Sequence, residues 1–289
     1  MPSEAIVFLN GEFLPATQAK ISVLDRGFIF GDGVYEVIPV YGGHLFRLSQ
    51  HLKRLDDSLV AIRIAPPLSH DRWREILSDL VRQNGGGDQS IYLQITRGVA
   101  MRDHAFPKGV EPTVFAMANP LKPVPSDILT HGVAAITLPD SRWQYCNVKA
   151  ITLLANVLAR QQALDTGAAE AILLRDGFAN EGAASNLFIV KDRTLYTPPK
   201  SAQLLPGITR DLILELAAAN QIPFYEAPIS ESVLRDADEI WLTSSTKEIL
   251  PVTQLDGKKV GTGQPGPLWS RMLAMYQGYK QRVREFGED

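Results

Sequence analysis

One stretch divides the sequence: Asn119-Pro120-Leu121-Lys122-Pro123-Val124-Pro125. It holds three prolines in seven residues. Each proline removes a backbone donor and fixes its own φ, so both helix and strand are disfavoured. A segment of this kind forms a stiff, exposed connection. We therefore predict a smaller amino-terminal domain over 1–118, a linker over 119–125 and a larger carboxy-terminal domain over 126–289.

On both sides of this linker, short runs typical of strands alternate with stretches spaced as helices. The strand-like runs are rich in β-branched and aromatic residues and cover 5–9, 34–41, 90–96, 113–118, 133–137, 169–174, 186–190, 223–226 and 239–242. Helical spacing of apolar residues covers 51–64, 72–81, 152–167 and 209–220. Because these elements follow no regular βαβ rhythm, the sequence predicts an α+β protein of two domains.

Composition excludes several functional classes. The 289 residues include 29 basic and 32 acidic side chains and no dense basic run, so nucleic acid is not expected as a partner. The single cysteine, Cys146, allows neither an intrachain disulfide nor a cysteine-built zinc site, and we expect no metal and a cytoplasmic location. Segment 1–14 lacks the pattern of a signal peptide. The sequence contains no uninterrupted run of ~18 apolar residues, so it predicts no transmembrane helix.

Lys149 has an unusual setting for a lysine. Its neighbours in Cys146-Asn147-Val148-Lys149-Ala150-Ile151-Thr152-Leu153-Leu154 are mostly apolar. An apolar pocket disfavours the ammonium form, so it would lower the pKa of the amine and leave a nucleophile able to form a Schiff base. The residues alone leave a second interpretation open, in which the charged end reaches solvent past an apolar stem.

A candidate anion site lies in Leu205-Pro206-Gly207-Ile208-Thr209-Arg210-Asp211, where a glycine turn and a threonine precede an apolar helix. The unpaired amides and positive dipole of a helix start can bind phosphate, with help from the Thr209 hydroxyl. An ordinary N-cap is the alternative. The cluster Thr243-Ser244-Ser245-Thr246 follows a predicted strand and offers further hydroxyl and amide donors, or is a polar loop.

Arg102 and His104 lie two residues apart in Arg97-Gly98-Val99-Ala100-Met101-Arg102-Asp103-His104. Arginine as a bidentate fork and histidine as an added donor can bind a carboxylate. A solvated loop is the simpler interpretation of the same residues. Glu181, in Asn180-Glu181-Gly182, has the pattern of an exposed turn, and its neighbours alone indicate no function.

Five segments, taken in order, resemble one family: the fold type IV pyridoxal-phosphate enzymes, or class IV aminotransferases, and among them the D-amino acid aminotransferases. These segments are Asp25-Arg26-Gly27-Phe28-Ile29-Phe30-Gly31-Asp32-Gly33-Val34-Tyr35-Glu36, His51-Leu52-Lys53-Arg54-Leu55, Lys149 with its apolar neighbours, Glu181-Gly182 before Ser185-Asn186, and Gly207-Ile208-Thr209-Arg210. The resemblance covers nearly the whole chain. It implies that pyridoxal 5′-phosphate binds between two domains. It also implies a ping-pong transfer of the amino group of a D-amino acid, of the D-alanine or D-glutamate type, to a 2-oxo acid.

The resemblance further implies a role for each site residue. Lys149 would form the internal aldimine and then move the proton of the substrate Cα, while Glu181 would pair with the pyridine nitrogen. Leu205 would pack beneath the ring. The phosphate would be held by Arg54, Gly207, Ile208, Thr209, Ser244 and Ser245. The substrate carboxylate would be bound by Tyr35, Arg102 and His104. The last two would reach in from the partner subunit, so the site needs a homodimer.

The sequence departs from the pattern at two places and leaves other activities open. Ala183-Ala184 stand where D-amino acid aminotransferases often have serines, and Ser245 replaces a common threonine. The same scaffold hosts branched-chain L-amino acid aminotransferases, amine transaminases and 4-amino-4-deoxychorismate lyase. The loop Arg102-Asp103-His104 favours the D-amino acid substrate, because the L-branched-chain enzymes do not resemble it. A binding module that only resembles an enzyme would have no use for Lys149.

Overall fold

The computed structural model describes residues 5–287 of the chain. Contacts divide the described residues into two compact units, the first comprising 5–122, 148–152 and 280–287 and the second 123–147 and 153–279. Helices and strands are mixed in both units, as the predicted α+β class requires. The first four residues of segment 1–14, which lacks a signal-peptide pattern, lie outside the described residues.

This division differs from the predicted domain boundaries in the placement of Lys149. Residues 148–152 belong to the first unit, because Val34 pairs with Ala150 and because Val148 and Ala150 pack in the core of that unit. Residues 280–287 also belong to the first unit. The switch after Lys122 falls inside the predicted linker. That linker is not irregular throughout, since a strand continues to Pro120.

The first unit is built on a six-stranded antiparallel sheet. Its strands are β1 (Ile6–Leu9), β2 (Glu12–Pro15), β3 (Gly33–Tyr41), β4 (His44–Leu45), β5 (Gln89–Thr96) and β6 (Thr113–Pro120). They follow the order β2-β1-β6-β5-β3-β4. The pairing of β3 with β5 runs from Gly33 opposite Thr96 to Val40 opposite Gln89, so β3 is fixed in register along most of its length.

Three helices complete the first unit: α1 (Arg26–Phe30), α2 (Leu48–Ala61) and α3 (His70–Gln83). The second presents Leu52, Leu55 and Leu59 to the core, each at most 1% exposed. This is the apolar face that its helical spacing predicts. The same helix also buries His51 and Arg54, whose polar groups must find partners inside the fold.

The second unit contains a ten-stranded sheet. Its strands are β7 (Val133–Pro139), β8 (Glu170–Arg175), β9 (Phe178–Gly182), β10 (Asn186–Lys191), β11 (Thr194–Thr197), β12 (Phe224–Glu226), β13 (Ile229–Ser230), β14 (Glu239–Ser244), β15 (Glu248–Leu255) and β16 (Lys258–Lys259). A further pairing of β9 with β10 closes β10, β14, β15, β7, β8 and β9 into a ring. Strands β9, β10 and β14 therefore lie side by side.

Five helices belong wholly or largely to the second unit: α4 (Ser126–His131), α5 (Leu154–Asp165), α6 (Ile208–Ala219), α7 (Glu231–Arg235) and α8 (Pro267–Phe286). The sequence did not lead to a prediction of α8, although its spacing is helical. Trp269, Met272 and Tyr276 recur along it at intervals of three and four and are buried. Its first residue is a proline, which is favoured at the first helical position.

None of the helices within residues 5–287 is both long and apolar enough to span a bilayer. The longest candidate by length, α8, has 20 residues. It carries Arg271, Lys280 and Arg284 along its length, and charges at such spacing oppose insertion.

Gly98 follows β5 at a position that does not accommodate a residue with a Cβ atom. Its φ of +98° lies in the left-handed region, and a Cβ at this position would collide with the carbonyl oxygen of Glu111. We therefore expect Gly98→Ala to lower the free energy of unfolding by about 2–4 kcal/mol, from backbone strain and overpacking together. Urea unfolding of the purified variant measures this loss.

Gly109→Ala is the matched control. Gly109 also has a positive φ, +66°, but a Cβ there would meet nothing within 4 Å, so only the backbone term of about 1 kcal/mol is expected. Equal losses in the two variants would contradict the assignment of the larger cost to the Glu111 carbonyl.

Candidate active site

Backbone hydrogen bonds to strand β3 hold Lys149 in place. The Tyr35 amide donates to the Lys149 carbonyl at 2.9 Å, and the Ile151 amide donates to the Gly33 carbonyl at 3.1 Å. The Lys149 amide in turn donates to the Ser58 hydroxyl on α2 at 3.2 Å. Because both its backbone polar groups are bonded, the position from which the Lys149 side chain extends is fixed.

The side chain of Lys149 lies beside an aromatic pair. Its Nζ is 4.4 Å from the centre of the Tyr35 ring, and that ring is 5.6 Å from the ring of Tyr92. The neighbours Val148 and Ala150 are buried at 7% and 8% exposure. Successive residues of an extended segment point to opposite sides. The apolar neighbours of Lys149 therefore pack into the core, and the amine extends away from it.

A buried cluster of Glu36, Arg54 and His51 lies next to this segment in the first unit. The Arg54 guanidinium donates to both Glu36 carboxylate oxygens, at 2.8 and 2.7 Å, and the His51 Nδ1 lies 2.7 Å from Glu36 Oε2. Burial alone would raise the pKa of Glu36, but the charge and hydrogen bonds of Arg54, with the bond from His51, hold it below its usual range. The carboxylate therefore stays ionised and fixes the plane of the Arg54 guanidinium.

Glu36 and His51 stand in two segments that carry the family resemblance, yet sequence reasoning assigned them no role. Glu36 lies 18 residues from Arg54. Their pairing depends on the packing of α2 against β3. Burial lowers the pKa of His51, so the ring is neutral near pH 7 although it faces a carboxylate. Arg54 is therefore the buried cation that balances Glu36 in this cluster.

In the second unit, Glu181 at the end of β9 is buried and held by three partners. Its Oε1 accepts a hydrogen bond from Arg142. Its Oε2 accepts from the Asn186 side-chain amide and from the Leu205 backbone amide, both at 3.1 Å. Burial raises the pKa of Glu181 to about 7, against the opposing effect of the Arg142 charge. The exposed turn that the sequence suggested for Glu181 is therefore wrong, because β9 pairs on both sides.

Arg142 is a site residue that sequence reasoning missed. Its guanidinium pairs with the two oxygens of Asp140 at 2.9 Å each, and Asp140 lies 3.0 Å from Arg175. Burial would lower the pKa of Arg142, but Asp140 and Glu181 together raise it. Arg142 and Glu181 are 39 residues apart, so local pattern gave no signal of their contact.

The residues of the predicted anion site lie at the start of α6. Gly207 is the N-cap residue, and no side chain among the described residues caps the helix there. A Cβ on Gly207 would collide with the Asn186 side-chain oxygen, so only glycine allows this close approach. Ile208 and Thr209 follow in the first turn and are buried at 7% and 4% exposure. Leu205, two residues before the cap, is half-buried.

Strand register places Ser244 and Ser245 at the same end of the sheet as Glu181. Asn186 pairs with Glu181 on one side and with Thr243 on the other. The Thr243 hydroxyl is buried and has no hydrogen-bond partner among the described residues. Ser244 and Ser245 follow directly and are half-buried. A group of hydroxyls thus ends β14, two strands away from the Glu181 carboxylate.

Arg102 and His104 are both exposed, and the structure brings them together on one ring. The Arg102 guanidinium is 5.3 Å from the centre of the Phe30 ring, and the His104 ring is 5.5 Å from it. The loop is therefore not simply solvated. Its two basic side chains share an aromatic contact in the first unit.

Of the two alanines that stand where the family often has serines, Ala183 is buried and Ala184 is exposed. Ala183 is 3% exposed and packs with other small residues against Leu173. Its carbonyl accepts a hydrogen bond from the Asn156 side chain at 2.7 Å. The methyl group of Ala183 therefore fills space in a core cluster where a hydroxyl would need a partner.

Comparisons with known proteins identify the family of the chain. Residues 33–255 match the family Amino-transferase class IV. The chain is 41% identical to a D-alanine aminotransferase of Bacillus licheniformis, over 94% of this chain and 95% of that protein. A D-alanine aminotransferase of Staphylococcus aureus (strain MW2) is 40% identical, with 94% and 97% covered. The branched-chain amino acid aminotransferase of Escherichia coli has a similar structure, with a TM-score of 0.89, 32% identity and 95% and 94% covered. The chain therefore belongs to the class IV aminotransferase family.

Proposed function

We propose that this chain is a pyridoxal 5′-phosphate-dependent transaminase that moves the amino group of a D-amino acid, of the D-alanine or D-glutamate type, to a 2-oxo acid. The observation that carries the proposal is its similarity, over nearly the whole chain, to D-alanine aminotransferases. The ping-pong order of substrates follows from the chemistry, because one amino acid must leave its amino group before the next 2-oxo acid can take it up.

The described residues fit the cofactor at three points. A primary amine, Lys149, extends from a segment with a fixed backbone. A buried carboxylate, Glu181, has a pKa raised to about 7, so it can share a proton with a pyridine nitrogen near neutral pH. The start of α6 lacks a side-chain cap among the described residues, which suits a phosphate. When bound, the cofactor supplies a carbonyl carbon for the amino group and a ring that accepts the electron pair left at Cα.

Lys149 is the residue that we propose for both covalent attachment and proton transfer. Its Nζ would hold the cofactor in the resting protein, and the same Nζ would take the proton from the substrate Cα. The 4.4 Å contact with the Tyr35 ring limits the positions that the amine can adopt. The contact would thereby help to keep the flexible Lys149 side chain in one orientation.

Glu181 would stabilise a protonated pyridine nitrogen, and the second unit is arranged to keep its carboxylate in one orientation. Arg142, Asn186 and the Leu205 amide all bond to Glu181. Arg142 also lowers the cost of ionising this buried group. The Leu205 amide lies 3.1 Å from the Glu181 carboxylate, and the family resemblance implies that the Leu205 side chain would pack against the cofactor ring.

The phosphate would be bound by an arginine together with backbone amides and hydroxyls. The first unit offers Arg54, whose guanidinium is already fixed by Glu36. The second unit offers the donors at the start of α6 and at the end of β14, namely the segment Gly207, Ile208 and Thr209 with Ser244 and Ser245. Backbone amides and hydroxyls bind phosphate oxygens directionally, and the arginine balances charge.

The substrate carboxylate would be bound by Tyr35, Arg102 and His104, the last two contributed by the partner subunit of a homodimer. Exposed apolar side chains support a second copy as partner. On α5, Leu154, Val157 and Leu158 share one face and are 72%, 58% and 61% exposed. An apolar patch of this kind is typical of an interface. The predicted cytoplasmic location stays a prediction from cysteine content.

The branched-chain L-amino acid aminotransferase activity is the alternative that the structural similarity favours, because an enzyme of that activity has this fold. A panel of amino donors separates the two. We expect D-alanine and D-glutamate, with pyruvate or 2-oxoglutarate as acceptor, to give keto acids at least about a hundredfold faster than L-valine and L-leucine. Faster turnover of the L-enantiomers would overturn the proposed substrate class.

Lys149→Ala tests the proposed lysine. We expect the variant to bind pyridoxal 5′-phosphate but to lose turnover by several orders of magnitude, because nucleophile and proton carrier disappear together. Steady-state kinetics measure the loss. Lys53→Ala, at an exposed position one residue before Arg54, is the control and should keep wild-type activity. Near-normal turnover in Lys149→Ala would sink the assignment.

Glu181→Gln tests the electrostatics of the second unit. The folded pKa of about 7 exceeds the ordinary value of 4.5, so the folded cofactor-free protein binds a proton between those pH values that the unfolded chain releases. Stability from this group is therefore largest below pH 4.5 and decreases as the pH rises to 7. Since glutamine cannot ionise, we expect the variant to lack this decrease in urea unfolding measured from pH 5 to pH 8.

Glu12→Gln, on the exposed end of β2, should keep the wild-type pH dependence. Glu181→Gln should also slow removal of the Cα proton, because an amide stabilises a pyridinium less than a carboxylate does. A Glu181→Gln protein whose unfolding follows the wild-type pH profile would show that Glu181 does not titrate in this range.

Arg102→Ala tests the carboxylate site and its origin in the partner subunit. We expect kcat/KM for D-alanine to fall roughly a hundredfold, as for loss of a charge-assisted bidentate contact. Mixing the Lys149→Ala and Arg102→Ala homodimers under subunit exchange should restore activity at roughly a quarter of all sites, because half of the dimers are mixed and each has one intact site. If exchange is proven and activity stays at the parental level, the arginine does not act across a subunit interface.

A further inference from the structure

The loop that carries Arg102 and His104 is exposed, yet a buried ion cluster anchors both of its ends. Asp32 is the centre of this cluster. Its carboxylate accepts from Arg26 Nε at 2.8 Å and from Arg97 Nε and Nη2 at 2.7 and 2.9 Å. Burial would raise the pKa of Asp32, but the two arginines outweigh that effect and keep it below its usual range. The two arginines therefore favour the ionised form of Asp32.

Arg26 reaches from this cluster to the peptide groups around His104. Its Nη1 donates to the carbonyl of Asp103 at 2.6 Å and to that of Ala105 at 3.4 Å. These carbonyls belong to the residues immediately before and after His104. At the other end of the loop, the Arg26 amide donates to the Gly98 carbonyl at 2.9 Å. One residue thus restrains the backbone at both ends of the segment.

Phe30 supports the side chains in the same way that Arg26 supports the backbone. It lies one helical turn after Arg26 in α1, and the Arg26 guanidinium is 4.8 Å from its ring centre. The Arg102 guanidinium and the His104 ring lie at 5.3 and 5.5 Å. A cation over an aromatic ring is attracted to it, so the ring restricts two side chains that would otherwise move freely in solvent.

The end of the loop has a second aromatic contact. The Arg97 guanidinium, already bonded to Asp32, lies 3.8 Å from the centre of the Phe106 ring. The Arg97 amide donates to the Asp32 carbonyl at 3.0 Å. The loop therefore begins at Arg97, which belongs to the ion cluster, and ends at Phe106, which contacts Arg97. Arg102 and His104 lie between these two residues.

We infer that Arg26, Phe30 and Asp32 are positioning residues that hold Arg102 and His104 in the geometry that binds the substrate carboxylate. The inference rests on the proposed role of those two side chains. Groups that are ordered before the substrate arrives lose less conformational entropy on binding. Because the carboxylate fixes the orientation of the Cα–H bond, the same residues would also sustain the preference for one enantiomer.

Phe30→Leu removes the ring and keeps an apolar side chain. We expect KM for D-alanine to rise about tenfold or more with kcat changed less than about threefold, and the ratio of D- to L-alanine activity to fall. Propionate, which has the carboxylate but no amine, should bind about tenfold more weakly when titrated by calorimetry. Phe28→Leu, on the same helix and 76% exposed, is the matched control and should leave all three quantities unchanged.

Two further variants separate positioning from general stability. Phe30→Tyr keeps the aromatic ring, so its KM should equal that of the wild-type enzyme. Arg26→Lys keeps the charge, but a single ammonium cannot reach Asp32 and both carbonyls in the arginine geometry, so it should raise KM as Phe30→Leu does. If either damaging variant fails to fold, the other still tests the inference. Lower thermal stability with unchanged KM and unchanged propionate binding in the folded variants would overturn it.

A double-mutant cycle tests whether Phe30 acts through Arg102. In an Arg102→Ala background, Phe30→Leu should raise KM less than about twofold further, because the side chain that it positions is gone. Independent, multiplicative effects would overturn the inference and leave the proposed carboxylate site intact. If Arg102→Ala alone has wild-type KM and wild-type propionate binding, the carboxylate site itself is wrong, and the positioning role is wrong with it.

Discussion

The rest of the site depends on the pairing of residues 148–152 with strand β3. Lys149 has no regular strand of its own, and its position is set by the backbone bonds to Gly33 and Tyr35 and by the hydroxyl of Ser58. β3 is in turn fixed in register by β5 along most of its length. A reactive amine on a mobile loop would sample many positions. Here, pairing with strand β3 of the sheet fixes the position of Lys149.

Arginines paired with carboxylates recur beside the residues that we propose for the site. Glu36 fixes Arg54, Arg142 bonds to Glu181, and Asp32 binds both Arg26 and Arg97. A buried carboxylate without such a partner would be protonated or would destabilise the fold, because desolvation disfavours its charge. In each pair, both charged groups lose hydration, and the hydrogen bonds between them fix the orientation of the two side chains. This arrangement suits a site that must bind a charged cofactor and a charged substrate without rearrangement.

The sequence predicted much of the fold because the signals were local. The spacing of Leu52, Leu55 and Leu59 indicated α2, and the glycine turn at Gly207 indicated the start of α6. Contacts between distant residues left no such signal. Arg142 meets Glu181 only because the chain returns to the same place, and the sequence alone made Glu181 look like an exposed turn. The assignment of Lys149 to the carboxy-terminal part likewise followed chain order, whereas the structure follows the pairing with β3.

We propose that Lys149, among the eleven lysines of the chain, is the one that binds the cofactor. Reduction of the holoenzyme with borohydride makes that bond permanent, and proteolysis followed by mass spectrometry locates it. We expect a phosphopyridoxyl group on the peptide that contains Lys149, in stoichiometric yield and on that lysine alone. A label on another lysine, such as Lys247 beside the serines that end β14, or no label in a protein that transaminates, would contradict it.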